Sequence, residues 1–138
     1  MSKHSIQIRQ SSEKPVAELF ALLADHNQLS QVFGVPVTRI RDGNAEPNGV
    51  GSVRSLGIGP LKVEETVMAF EKDRSIDYRI SRNGGPIRHH RGRISFEALD
   101  KGSQVTWEIH YEAPVAPLGA VIGKALETGL RLGLRRIA

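Results

Sequence analysis

Glu65, Tyr78, His90, Trp107 and Tyr111 fall where alternating strands call for apolar side chains. Successive side chains of a strand point to opposite faces, so the residues at i±2 identify the face each one shares. Trp107 and Tyr111 are in phase with Val105 and Ile109, Tyr78 with Ile76 and Ile80, and His90 with Gly92, Ile94 and Phe96. Glu65 is in phase with Leu61, Val63, Val67 and Ala69, although Met68 and Phe70 compete for that face. A close-packed core has little use for a carboxylate, an imidazole and a phenol on one face. The wall of a ligand cavity, mostly apolar with a few convergent polar groups, does.

Each residue type implies a chemistry. A carboxylate on an apolar face is driven toward protonation by desolvation unless a cation offsets it. Arg54, on the neighbouring strand, is the expected partner of Glu65. Such a pair adds little net stability, yet removing one member costs a few kcal/mol. It serves either as a tie between two strands or as a carboxylate that binds or deprotonates a ligand. His90 and Tyr78 suit acid–base work beside a carbonyl, or the plainer role of hydrogen-bonded core residues. Trp107 and Tyr111 read as wall, able to stack on a flat ligand. Gly92 is expected opposite Ile109 or Tyr111, where a large ring can lie across bare backbone.

Other chemistries are not expected. His89 and His90 are adjacent on a strand, so they point apart, and no His-x-His or His-x₃-His spacing supplies a chelating pair. Gly49-Val50-Gly51 and Gly57-Ile58-Gly59 do not extend to a phosphate-binding loop. No serine has a nucleophile-elbow context. With no cysteine there is no thiolate or disulfide chemistry. No metal and no cofactor are therefore expected.

The elements that position these residues follow from periodicity and turn signals. Ser5 to Arg9 reads as a short strand, Val16 to Ala24 as a helix entered through Pro15, and Leu29 to Phe33 as a second short helix closed by Gly34. Strands follow from Val35 to Ile40, Gly51 to Leu56, Leu61 to Phe70, Ser75 to Ser81, Ile87 to Leu99 and Ser103 to Glu112. Leu118 to Ile137 reads as a long amphipathic helix whose apolar stripe is Leu118, Val121, Ile122, Ala125, Leu126, Leu130 and Ile137. Gly129 and Gly133 fall within that stripe, which implies close approach to another element or room for a ligand.

The 138 residues suit one domain spanning 1–138. The first nine residues lack the apolar run of a signal peptide, and no run approaches the ~20 apolar residues of a membrane span. A soluble, cytoplasmic protein is expected. The net charge of +4 raises nucleic acid or an anionic membrane as partners. The arginines are scattered, however, with clusters only at Arg88 to Arg93 and at Arg131, Arg135 and Arg136. Few exposed aromatics are available for base stacking, so nucleic acid is not an expected partner. A homodimer is compatible with the sequence.

The ordered set Gly49-Val50-Gly51-Ser52-Val53-Arg54, Glu65-Thr66-Val67, Tyr78-Arg79-Ile80, Gly85-Pro86, Arg91-Gly92-Arg93-Ile94 and Val105-Thr106-Trp107 resembles the START-like (SRPBCC) superfamily, in its polyketide cyclase/dehydratase-like branch. The resemblance implies an α+β helix-grip fold: a curved antiparallel sheet of about seven strands wrapped around a long C-terminal helix. It implies a cavity for a small hydrophobic or aromatic, lipid- or polyketide-like molecule. Phe33, Arg54, Glu65, Tyr78, His90, Trp107, Tyr111 and Leu126 are its expected lining. Relatives often carry tryptophan near Phe33. The alternative it implies is a cofactor-independent cyclase, dehydratase or isomerase using Glu65, His90, Tyr78 and Arg54.

Overall fold

The computed structural model describes residues 1–138 apart from the side chain of Leu61, so the face expected for Leu61 lies outside the described residues. Strand β1 (Ser2–Ser12) leads into helix α1 (Val16–Ala24), a 3₁₀ turn (His26–Gln28) and helix α2 (Ser30–Phe33). Six strands follow: β2 (Val37–Arg41), β3 (Val53–Leu56), β4 (Val63–Glu71), β5 (Ser75–Arg82), β6 (Arg88–Ala98) and β7 (Ser103–Ala113). Helix α3 (Ala116–Ile137) closes the chain. The strands form one antiparallel sheet in the order β1-β7-β6-β5-β4-β3-β2. This is the helix-grip arrangement expected from the sequence.

β1 is longer than the alternation of Ile6 and Ile8 implies. It pairs with β7 without interruption from Ser2↔Ala113 to Ser12↔Ser103. Its polar ends carry no hydrophobic signal, and the partner strand sets its length. In β4, Glu65 and Val67 face inward as expected. A bulge between Val67 and Ala69 then reverses the alternation. Ala69 is exposed, and Phe70 turns in to meet Phe20 edge-on at 5.4 Å. In β6, His89 and His90 together oppose the single Tyr111 of β7, because the register slips between Arg88 and Arg91. His89 takes a positive φ of 52° at this bulge.

The buried core joins Ile6, Ile8, Leu19, Leu23, Leu29, Ile94, Val105, Trp107, Leu130 and Leu134. α3 contributes through its C-terminal half, where Leu130, Gly133, Leu134 and Ile137 are buried. Its N-terminal half departs from expectation. Leu118, Val121 and Ala125 are exposed, and only Ile122 and Leu126 rest half-buried on the core. The cause is a close approach along a different edge of the helix. Gly119 backs onto the His4 ring of β1, and Gly123 onto the Tyr111 hydroxyl of β7. Gly129 is exposed with open space around it, so it marks no close approach. Gly133 does: α2 crosses there, with the Val32 carbonyl where a Cβ would sit.

Candidate functional site

Antiparallel register brings the buried polar residues together. Arg54 on β3 pairs directly with Glu65 on β4. Arg54 Nε donates to Glu65 Oε1 at 2.9 Å, and Nη2 lies 2.8 Å from the same oxygen. Both nitrogens converge on one oxygen instead of forking onto two, which leaves the Nη2 N–H without an aligned acceptor. Arg54 is 1% exposed and Glu65 7%. The guanidinium carbon lies 4.6 Å from the centroid of the Tyr78 ring and 5.8 Å from that of Phe33. A desolvated guanidinium over an aromatic face is attracted by the ring quadrupole.

Aromatic contacts extend the cluster. Trp107 Nε1 donates to the Tyr78 hydroxyl at 2.8 Å, and Phe33 meets Trp107 edge-on at 5.6 Å. The Tyr78 ring lies across Gly92, where an added Cβ would sit 2.2 Å from Tyr78 Cζ. Gly92 is opposite both Tyr78 on β5 and Ile109 on β7. The bare position anticipated from the sequence is thus filled by a ring, that of Tyr78. Burial, followed by the Glu65 carboxylate, pushes the Tyr78 phenol above its ordinary range, so the hydroxyl keeps its proton.

His26 and Ser52 join this cluster without having been singled out in the sequence. His26 Nε2 lies 2.8 Å from Ser52 Oγ, and its Nδ1 lies 3.4 Å from Arg54 Nη1. Arginine only donates, so His26 Nδ1 accepts and Nε2 carries the ring proton toward Ser52. Burial first, then the charges of Arg54 and Arg39, lower the His26 pKa to about 3. The sign follows directly. Below the ordinary value of 6.5 the unfolded chain binds a proton that the folded chain refuses, so stability falls as pH drops from 6.5 toward 3. Between pH 6 and pH 4, unfolding free energies should fall by about 2–3 kcal/mol more in the wild type than in His26→Gln. Urea titrations at a series of pH values measure this; parallel profiles for the two proteins would contradict it.

His90 and Tyr111 lie at the ends of β5, β6, β7 and β1, where the His90 ring sits 5.6 Å from that of Tyr78 and so borders the Arg54 cluster. The β5–β6 pairing runs only from Ser75↔Ser95 to Tyr78↔Gly92. Beyond it the Ile80 N–H donates to His90 Nδ1 at 3.1 Å. His90 is 7% exposed, and burial foremost lowers its pKa, which favours the neutral ring with its proton on Nε2. Tyr111 stacks on His4 at 5.4 Å and donates its hydroxyl hydrogen to the Gly119 carbonyl. A concavity of about 630 Å³ opens here, lined by Ile80, His90 and Tyr111 among others. A second, of about 440 Å³, reaches Tyr78 and Gly92. Phe33, Arg54, Glu65, Trp107 and Leu126 line neither.

The comparisons with known proteins bear on this arrangement. A family model described as polyketide cyclase / dehydrase and lipid transport matches residues 3–138. The chain belongs to that family. Its fold is similar to that of Ara h 8.0201, at a TM-score of 0.74 and 20% identity, covering 99% of this chain and 95% of that one. A Thermobifida fusca protein matches at 0.73 and 19%, covering 96% and 91%. A Deinococcus radiodurans protein matches at 0.65 and 18%, covering 97% and 93%. No curated protein matches the chain by sequence.

Among the described residues, no group of three or more His, Asp or Glu side chains is gathered to hold a metal. Although His4, His89, His90 and His110 line one concavity, the bulge turns His89 outward onto Glu112 while His90 faces in. No helix among the described residues is long and apolar enough to cross a membrane.

Proposed function

We propose that residues 1–138 act as a single domain that binds a small hydrophobic or aromatic molecule, admitted where β5 and β6 part. The observation that carries this reading is the concavity of about 630 Å³ beside Ile80, His90 and Tyr111, within the ~300–1,000 Å³ usual for ligand sites. Half-buried Ile87, Ile122 and Leu126 pack on the apolar core behind it. Tyr78, which borders the second concavity, meets Trp107 edge-on and so joins that wall to the aromatic core behind it. Trp107 is the only tryptophan of the chain, so its fluorescence is a built-in reporter. Titration with a panel of fatty acids, sterols and polycyclic aromatics should give a saturable change in that signal for at least one class. A flat response across the panel at high micromolar concentration would count decisively against the reading.

One observation favours a catalytic alternative, a cyclase, dehydratase or isomerase acting on a polyketide-like substrate. The Arg54 Nη2 N–H has no aligned acceptor, and the Tyr78 hydroxyl hydrogen has none among the described residues. Both are donors of the kind that polarise a carbonyl, and Glu65 stands beside them to move a proton. Under this reading Glu65→Gln abolishes turnover of a polyketide-like substrate while leaving ligand affinity in place. Unchanged turnover would remove Glu65 from the chemistry.

A further inference from the structure

The concavity beside His90 carries a charge imbalance that an apolar ligand does not require. Lys3, Arg79 and Arg91 line it, and none of them has an acid within ion-pair distance among the described residues. Two other exposed arginines are paired, Arg93 with Asp77 at 3.0 Å and Arg131 with Glu127 at 3.0 Å. The one acid in the lining, Glu112, lies 2.6 Å from His89 Nδ1 and directly opposite Lys3 in the β1–β7 register. Three cations therefore share one recess with a single carboxylate. Arg79 and Arg91 also line the neighbouring concavity of about 440 Å³, so they stand between the two.

Deeper in, the character of the wall changes. His90 Nδ1 is occupied by the Ile80 N–H, so the neutral ring holds its proton on Nε2, which has no protein acceptor among the described residues. Beside it are the Tyr111 ring and the Ile80 side chain. One recess thus offers exposed positive charge from Lys3, Arg79 and Arg91, and a buried N–H beside the apolar surface of Ile80 and Tyr111. Cations gathered in a recess with lower-dielectric walls attract an anion more strongly than the same cations scattered over a convex surface.

We propose that this recess seats the acidic head group, a carboxylate or a phosphate monoester, of an amphiphile whose apolar part runs inward past Ile80 and Tyr111. The proposal rests on the ligand-binding reading above and adds the class of molecule. The same chemistry in a free small anion lacks the apolar part, and the test separates the two.

Dodecanoate and methyl dodecanoate are titrated against the full chain near neutral pH, with Trp107 fluorescence and calorimetry as readouts. The acid should bind about tenfold more tightly than the ester, a difference of about 1.4 kcal/mol. In Arg79→Gln/Arg91→Gln, thermal melting confirms the fold, the acid should fall to the affinity of the ester, and the ester should be unaffected. Should that double variant not fold, Lys3→Gln should show a smaller loss for the acid alone. Equal affinities in the wild type, or an acid preference that survives in the folded variant, would overturn the proposal and leave hydrophobic binding standing. Displacement of dodecanoate by an equal concentration of acetate would overturn the amphiphile in favour of a free anion. Failure of both compounds to bind, in a protein whose Trp107 signal responds to a sterol or a polycyclic aromatic, would overturn this proposal and leave the ligand-binding reading standing; a flat response to all of them would remove both.

Discussion

Arg54→Met should destabilise the fold by about 3–5 kcal/mol, because it leaves a buried carboxylate without its cation. Glu65 is only 7% exposed, so water replaces little of what Arg54 supplies. The same change removes the guanidinium from the Tyr78 face and the donor from His26 Nδ1. In urea, a loss of this size moves the unfolding midpoint by about 1.5–3 M for slopes typical of small proteins. The double variant Arg54→Met/Glu65→Leu should recover most of it, since replacing both members of a buried pair by apolar groups is often neutral or better. The asymmetry is diagnostic. If the single variant loses under ~1 kcal/mol, the pair is hydrated in solution and carries no special role.

The second large effect concerns the C-terminal helix. Gly133→Ala would put a Cβ 1.9 Å from the Val32 carbonyl oxygen and 2.6 Å from its carbon. The obstacle is backbone, so no side-chain rotation relieves it, and α3 must move away from α2. Overpacking of this kind costs about 1–3 kcal/mol, set against about 1 kcal/mol of improved helix propensity. Gly129→Ala meets nothing within 4 Å and is exposed, so it receives the propensity gain alone. Thermal melts should therefore shift in opposite directions, upward for Gly129→Ala and downward for Gly133→Ala. Equal shifts would mean that α3 does not sit against α2 as described.

These two glycines mark the limit of what periodicity reveals. Both fall in one apolar stripe of the sequence, yet only Gly133 touches another element. A helical wheel shows which face is apolar but not which partner lies against it or where contact ends. Strand alternation carried more information. It oriented Tyr78, His90, Trp107, Tyr111 and Glu65 inward, because one-sided burial forces period two. It failed at Ala69 and Phe70, where an extra residue in β4 reverses the faces and no local motif announces it. The Arg54–Glu65 pair was legible because two successive strands must be neighbours. His26 was not, because it sits in a single 3₁₀ turn, too short for any period. The hint was Asp25, whose carboxylate caps the Asn27 N–H and so begins a new turn where the sequence reads only as a helix ending.

The hydrogen bond from the Ile80 N–H to His90 Nδ1 also bears on what size of guest the protein can admit. Past Tyr78 and Gly92 the two strands share no ladder. Beside the Ile87 N–H to Gly84 carbonyl bond of their connecting turn, this clasp is, among the described residues, the one hydrogen bond between β5 and β6 there. Releasing it forfeits roughly 0.5–1.5 kcal/mol, far below the cost of global unfolding, and leaves the rest of the sheet zipped. Under the proposed function, rotation of that one imidazole would open the aperture, and bulky guests would be screened by the aromatic floor more than by the doorway.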